Sequence, residues 1–144
     1  MLKITNVDNK EFSKQLEIRT KKFAIQIISL SNTLPVTPEG KAVRNQVTKS
    51  GTSVGANYRE ANRSRSKADF SHKIKLSESE ASETIYWLEI IDELKWAENK
   101  KLILINKEAN ELLAIFTSIG NKLKSNSQQI PTRSTRSTRS TRST

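Results

Sequence analysis

Residues 46–61, Gln-Val-Thr-Lys-Ser-Gly-Thr-Ser-Val-Gly-Ala-Asn-Tyr-Arg-Glu-Ala, read as a helix built from residues that are poor at being helical. Three of the chain's four glycines, Gly40, Gly51 and Gly55, fall between Pro38 and Ala61. Each glycine inside a helix costs about 1 kcal/mol relative to alanine. Such a segment keeps its shape only where neighbouring helices press against its backbone. The chain is written for close helix packing.

Periodicity and punctuation define four helices, at about residues 9–32, 38–61, 67–96 and 99–124. In the first, Phe12, Leu16, Phe23, Ile27, Leu30 and Leu34 mark one face. Leu34-Pro-Val-Thr-Pro38 breaks it, because a proline excludes the residue before it from helical geometry. Thr37 suits an N-cap, with Pro38 at the first helical position, where a missing N–H costs nothing. The second helix turns Val43, Val47, Ser50, Gly51, Val54, Asn57, Tyr58 and Ala61 inward. Ser66 with Asp69 forms a capping pair for the third, which buries Phe70, Ile74, Ala81, Ile85 and Leu88. Ile105, Ala109, Leu112, Phe116, Ile119 and Leu123 line the fourth. Turns of a few residues force antiparallel neighbours, so the fold class is all-α, an up-down-up-down four-helix bundle over residues 1–127.

From residue 128 the composition changes, and Arg-Ser-Thr repeats four times from Arg133 to Thr144. Nothing apolar is left to bury there, so residues 128–144 are expected to be a disordered tail.

No apolar run approaches a membrane span, and the first residues lack the apolar core of a signal peptide. The expectation is a cytoplasmic protein with no membrane role. The absence of cysteine excludes disulfides and thiolate metal sites.

The formal net charge is +10, unevenly spread. Residues 38–67 carry seven basic against two acidic residues, whereas residues 68–96 carry three against seven. A basic second segment beside an acidic third is self-complementary within or between copies, and the surplus favours anionic partners such as RNA or DNA. Arg59, Arg63, Arg65 and Lys67 cluster around the turn after the second helix, with Arg44 and Lys49 further up it. These six are the candidate nucleic-acid-binding residues, acting by sequence-independent phosphate neutralisation. No aromatic side chain is interleaved with them, so base stacking is not specifically indicated. The alternative is a surface whose charge serves only solubility and assembly.

Several helices carry a second apolar stripe away from the core face. It comprises Ile18 and Ile25 on the first, Leu104 and Ile115 on the fourth, and Leu76, Trp87, Ile90 and Leu94 on the third. A monomeric bundle needs one buried face per helix, so Leu76, Trp87, Ile90 and Leu94 are the candidate oligomer interface.

Gln46-x-x-Lys49-Ser50-Gly51-x-Ser53-Val54-x-Ala56-Asn57-Tyr58-x-Glu60-Ala61 resembles the signature of the bacterial four-helix-bundle family known as 23S rRNA intervening-sequence proteins. Ser66-Lys-x-Asp-Phe-x-His-Lys73 and Glu80-Ala-x-Glu83-Thr84-x-Tyr86-Trp87-Leu88-Glu89 are similar to that family's third helix. The resemblance covers about residues 10–125, and the Arg-Ser-Thr repeat departs from it. It implies a homopentameric bundle, distantly similar to the accessory proteins of diversity-generating retroelements, which bind nucleic acid and a reverse transcriptase. No catalytic activity is implied, and the family's name records genomic location more than mechanism.

Ser50, Ser53, Asn57, Ser77 and Thr84 are expected to form a polar layer between the second and third helices, within reach of Glu60 or Glu83. Buried polar groups must find partners, and an unpaired one costs about 1–3 kcal/mol. Gly51-x-x-x-Gly55 lacks the Gly-Lys-Ser/Thr ending of a phosphate loop and follows no strand, which leaves close backbone approach as its reading. His72 is the only histidine and has no companion ligands at metal-binding spacing. Glu78, Glu80, Glu83, Glu89, Asp92 and Glu93 lack the Glu-x-x-His repeats of di-metal bundles and read as a solvated or salt-bridging face. No catalytic residue, metal or cofactor is therefore expected. Two functions follow: a non-enzymatic homo-oligomeric bundle that binds RNA or DNA, or alternatively a scaffold that recognises another protein.

Overall fold

The computed structural model describes residues 6–129, and the Arg-Ser-Thr repeat lies outside them. Four helices follow one another: α1 (Asn6–Ser31), α2 (Pro38–Ala61), α3 (Lys67–Glu93) and α4 (Asn99–Gln129). Each packs antiparallel to the next, with α2 lying extensively on α3 and α1 meeting α4 only sparsely. No described residue is in a strand.

The core is filled by Phe23, Ile27, Val47, Val54, Tyr58, Ile74, Leu88, Ile91, Leu112 and Phe116, all essentially inaccessible to solvent. Tyr58 and Phe116 meet edge to face with ring centroids 5.5 Å apart, joining α2 to α4 across the bundle. Val43, Phe70, Ile85, Ile119 and Leu123 pack against its margin.

Gly51 and Gly55 of α2 face α1. A Cβ on Gly51 would stand 2.7 Å from Cγ2 of Ile27, and one on Gly55 would stand 2.9 Å from Oγ1 of Thr20. Side chains at these positions would push the two helices apart. Thr20, itself buried, spends its hydroxyl on the carbonyls of Leu16 and Glu17.

Local chemistry sets the helix ends. Thr37 accepts from the Gly40 N–H at 3.1 Å, with Pro38 opening α2. Ser66 accepts from the Asp69 N–H at 3.0 Å at the start of α3.

Three expectations are corrected. The third helix ends at Glu93 rather than near Trp96. Lys95 takes a left-handed φ of 55°, and the Trp96 and Lys95 N–H groups close onto the Ile91 and Asp92 carbonyls. Lysine there carries no stop signal of the kind a glycine gives. The fourth helix continues five residues past 124, to Gln129. Phe12 shares the core-facing side of α1 yet is 53% exposed, because it precedes the level at which α1 is enclosed.

Where α1 and α4 meet, the tie is ionic. The Arg19 guanidinium donates to both carboxylate oxygens of Glu108, at 2.7 and 2.8 Å, and to Glu111 at 2.7 Å. These bonds, that to Glu108 foremost, push the arginine further toward its charged form.

Candidate nucleic-acid interface

The α2–α3 turn lies at the end of the bundle where α1 begins and α4 finishes. Asn62 donates to Glu17 at 2.8 Å, and Arg59 pairs with the same carboxylate at 3.5 Å, which fixes the turn beside Glu17, in the N-terminal half of α1. Arg63, Arg65 and Lys67 are exposed on this turn and enter none of the ion pairs among described residues. Lys10 and Lys14 on α1 and Lys122 and Lys124 on α4 are exposed toward the same pole. Surface carboxylates there include Glu11 and Asp69.

The structure divides the six sequence-derived basic candidates. Arg44 is half-buried and donates from Nε to the Ser31 carbonyl and from an Nη to the Leu34 carbonyl, both at 3.1 Å. It satisfies the Ser31 carbonyl at the C-terminal end of α1 and the Leu34 carbonyl just beyond it, so its guanidinium is already engaged within the chain. Periodicity could not reveal this, since the bonds span 10–13 residues of sequence and depend on the turn geometry. Arg59 is partly neutralised by Glu17. Lys49 is exposed further along α2, close enough to Glu80 to favour that carboxylate's charged form.

The polar groups between α2 and α3 also separate. Ser50, Ser77 and Thr84 are fully buried. Oγ1 of Thr84 lies 2.9 Å from Oγ of Ser50 and 2.7 Å from the Glu80 carbonyl. Ser77 donates to the Val54 carbonyl at 2.9 Å across the same interface. Ser53 and Asn57, expected in this layer, are only half-buried and bond along their own helix. Ser53 donates to the Lys49 carbonyl and Asn57 to the Ser53 carbonyl, because each sits at the rim of the contact. Glu60 pairs with Lys73 at 2.6 Å at the edge of this interface. Glu83 accepts from the indole of Trp87 at 3.1 Å and takes no part in the layer.

Partial burial, then the neighbouring Glu83, raises the pKa of Glu80 above the ordinary carboxylate range, with Lys49 opposing. On the outer side of α3, Leu76, Trp87 and Ile90 are half-buried and Leu94 is exposed. His72 is exposed, and no group of three or more potential metal ligands is found among the described residues. No described helix is long and apolar enough to cross a membrane.

The model of the family described as 23S rRNA-intervening sequence protein matches residues 8–118. Among solved structures, a protein of unknown function from the S23 ribosomal protein family of Bacteroides thetaiotaomicron is similar to this chain. The two are 33% identical with a TM-score of 0.67, over 72% of this chain and 96% of that one. No curated protein matches the chain.

Proposed function

This chain belongs to the 23S rRNA-intervening sequence protein family, and from that premise we propose that it is a non-enzymatic, cytoplasmic homo-oligomer that binds RNA or DNA through phosphate contacts at its basic pole. The observation that carries this reading is the state of Arg63, Arg65 and Lys67. They are exposed, adjacent and outside every ion pair among described residues, while Arg44 and Arg59 are already engaged. Holding like charges together without internal partners is unfavourable unless an anion arrives to relieve them. Backbone phosphates suit such a group, since each neutralised phosphate releases a condensed counterion. A homopentamer, the number that the resemblance implies, would repeat the cluster five times.

The test is anisotropy titration of the full chain against mixed-sequence RNA and DNA across a range of salt. Affinity should fall steeply with salt, with a log–log slope of about −0.9 per neutralised phosphate on duplex DNA. Arg63→Gln/Arg65→Gln/Lys67→Gln should weaken binding on every sequence alike and flatten that slope. Absence of binding at low salt would overturn the reading and leave the protein-recognising scaffold in its place.

A further inference from the structure

Two seams on the outside of the bundle carry opposite charge. On α1, Lys14, Ile18, Lys21, Ile25 and Ile28 follow one another at alternating steps of four and three residues, all exposed. Ile18 and Ile25 are each more than half open to solvent, directly opposite the buried face of their helix. On α3, Leu76, Glu80, Glu83, Trp87, Ile90 and Leu94 follow the same four-three rhythm, just outside the α2–α3 contact. That rhythm presents a straight stripe along a helix and is the spacing by which two helices interlock. Both seams therefore have the form of a helix–helix contact, the α1 seam open along its length and the α3 seam only half covered among the described residues, with Trp87 resting on the margin of the core.

Their chemistry matches. The α1 seam alternates lysines with isoleucines, and the α3 seam sets two glutamates among large apolar side chains. Partial burial and then Glu83 disfavour the charge on Glu80, and Lys49 opposes this. Because both seams point outward, they cannot meet within one protomer. We infer that the α1 seam of one copy docks on the α3 seam of the next, in a head-to-tail contact that buries the isoleucines against Trp87 and Ile90 and sets Lys14 and Lys21 beside Glu80 and Glu83. Such a contact joins two different surfaces, so it propagates, and it closes into a ring when the rotation per copy divides a full turn. The inference rests on the homo-oligomer part of the proposed function and is independent of nucleic-acid binding.

The test is the mass of the full chain in solution, by light scattering without nucleic acid, for three proteins. Wild type should run at a multiple of the 16.3 kDa monomer. Lys14→Glu/Lys21→Glu and Glu80→Lys/Glu83→Lys should each shift to monomer. Mixed one to one, they should associate again, because the reversed α1 seam of the first now fits the reversed α3 seam of the second. Ile25→Asp, at a position 58% exposed and so harmless to folding, should also release monomers. Wild type that associates while every variant keeps its mass, or variants that stay monomeric when mixed, would overturn this pairing and leave the oligomer reading standing. A monomeric wild type would overturn both.

Discussion

Oγ1 of Thr84 lies 2.9 Å from Oγ of Ser50, both residues wholly buried between α2 and α3. Ser50 has only one other bond, a long 3.4 Å contact to the Val47 carbonyl. Thr84→Val preserves shape and strands that hydroxyl, so it should destabilise the fold by about 1–2 kcal/mol. Adding Ser50→Ala should recover part of the loss. Urea unfolding of the two single variants and the double variant measures the coupling.

Two glycines should respond in opposite directions to alanine. Gly120 in α4 has no neighbour within 4 Å of its missing Cβ, so Gly120→Ala should stabilise by up to about 1 kcal/mol through helix propensity. Gly51→Ala drives a Cβ into Ile27 and should destabilise by about 1–3 kcal/mol. Combined with Ile27→Ala, it should cost less than the two changes separately. Thermal unfolding of the set checks both signs.

Arg44 gives a third prediction. Arg44→Gln removes charged donors from the Ser31 and Leu34 carbonyls and should cost about 1.5–3 kcal/mol in stability. Nucleic-acid affinity below the melting temperature should be unchanged, in contrast to the triple variant of the α2–α3 turn. Denaturation and anisotropy on the same preparation separate the two effects.

The carboxyl of Glu80 is raised in the folded state by burial and by Glu83. The folded protein therefore holds its proton more tightly than the unfolded chain does, and stability falls as pH rises through the carboxylate range and stays lower above it. In the monomeric Ile25→Asp background, where no lysine of a second copy reaches Glu80, Glu80→Gln should raise the melting temperature at neutral pH, and the gap from the Ile25→Asp parent should close on acidification below that range. A melting series against pH reads this directly.

The bundle was legible in the sequence because its signals are local. Pro38 behind Thr37 and Ser66 before Asp69 declare helix starts by short-range chemistry, and both pairs make the expected bonds. The wheel also places Ser50, Ser77 and Thr84 inward, since 100° per residue is enough to rank positions near the centre of a face. It fails at the margins. Ser53 and Asn57 lie only one step round the helix, and there a hydroxyl or amide reaches its own preceding carbonyl more easily than a neighbouring helix. The end of α3 was hidden for a different reason, because left-handed Lys95 pays a conformational cost that only tertiary packing justifies. The basic cluster split unevenly since composition counts charges without showing which are already spoken for. Arg44 and Arg63 look alike in the chain, and only the fold distinguishes an arginine over helix-end carbonyls from one facing water.

An even number of antiparallel rods returns the backbone to the pole it left. Asn6 and Gln129 thus finish on the same side as the Arg63–Lys67 turn, whereas the loop through Val36 projects from the far side. A fluorescent protein or affinity handle fused at either end of residues 6–129 would crowd the pole where phosphates are expected to dock. Inserting the reporter at Val36 moves it away by the length of α2, 24 residues or about 36 Å, and keeps both the pole and its readout unobstructed.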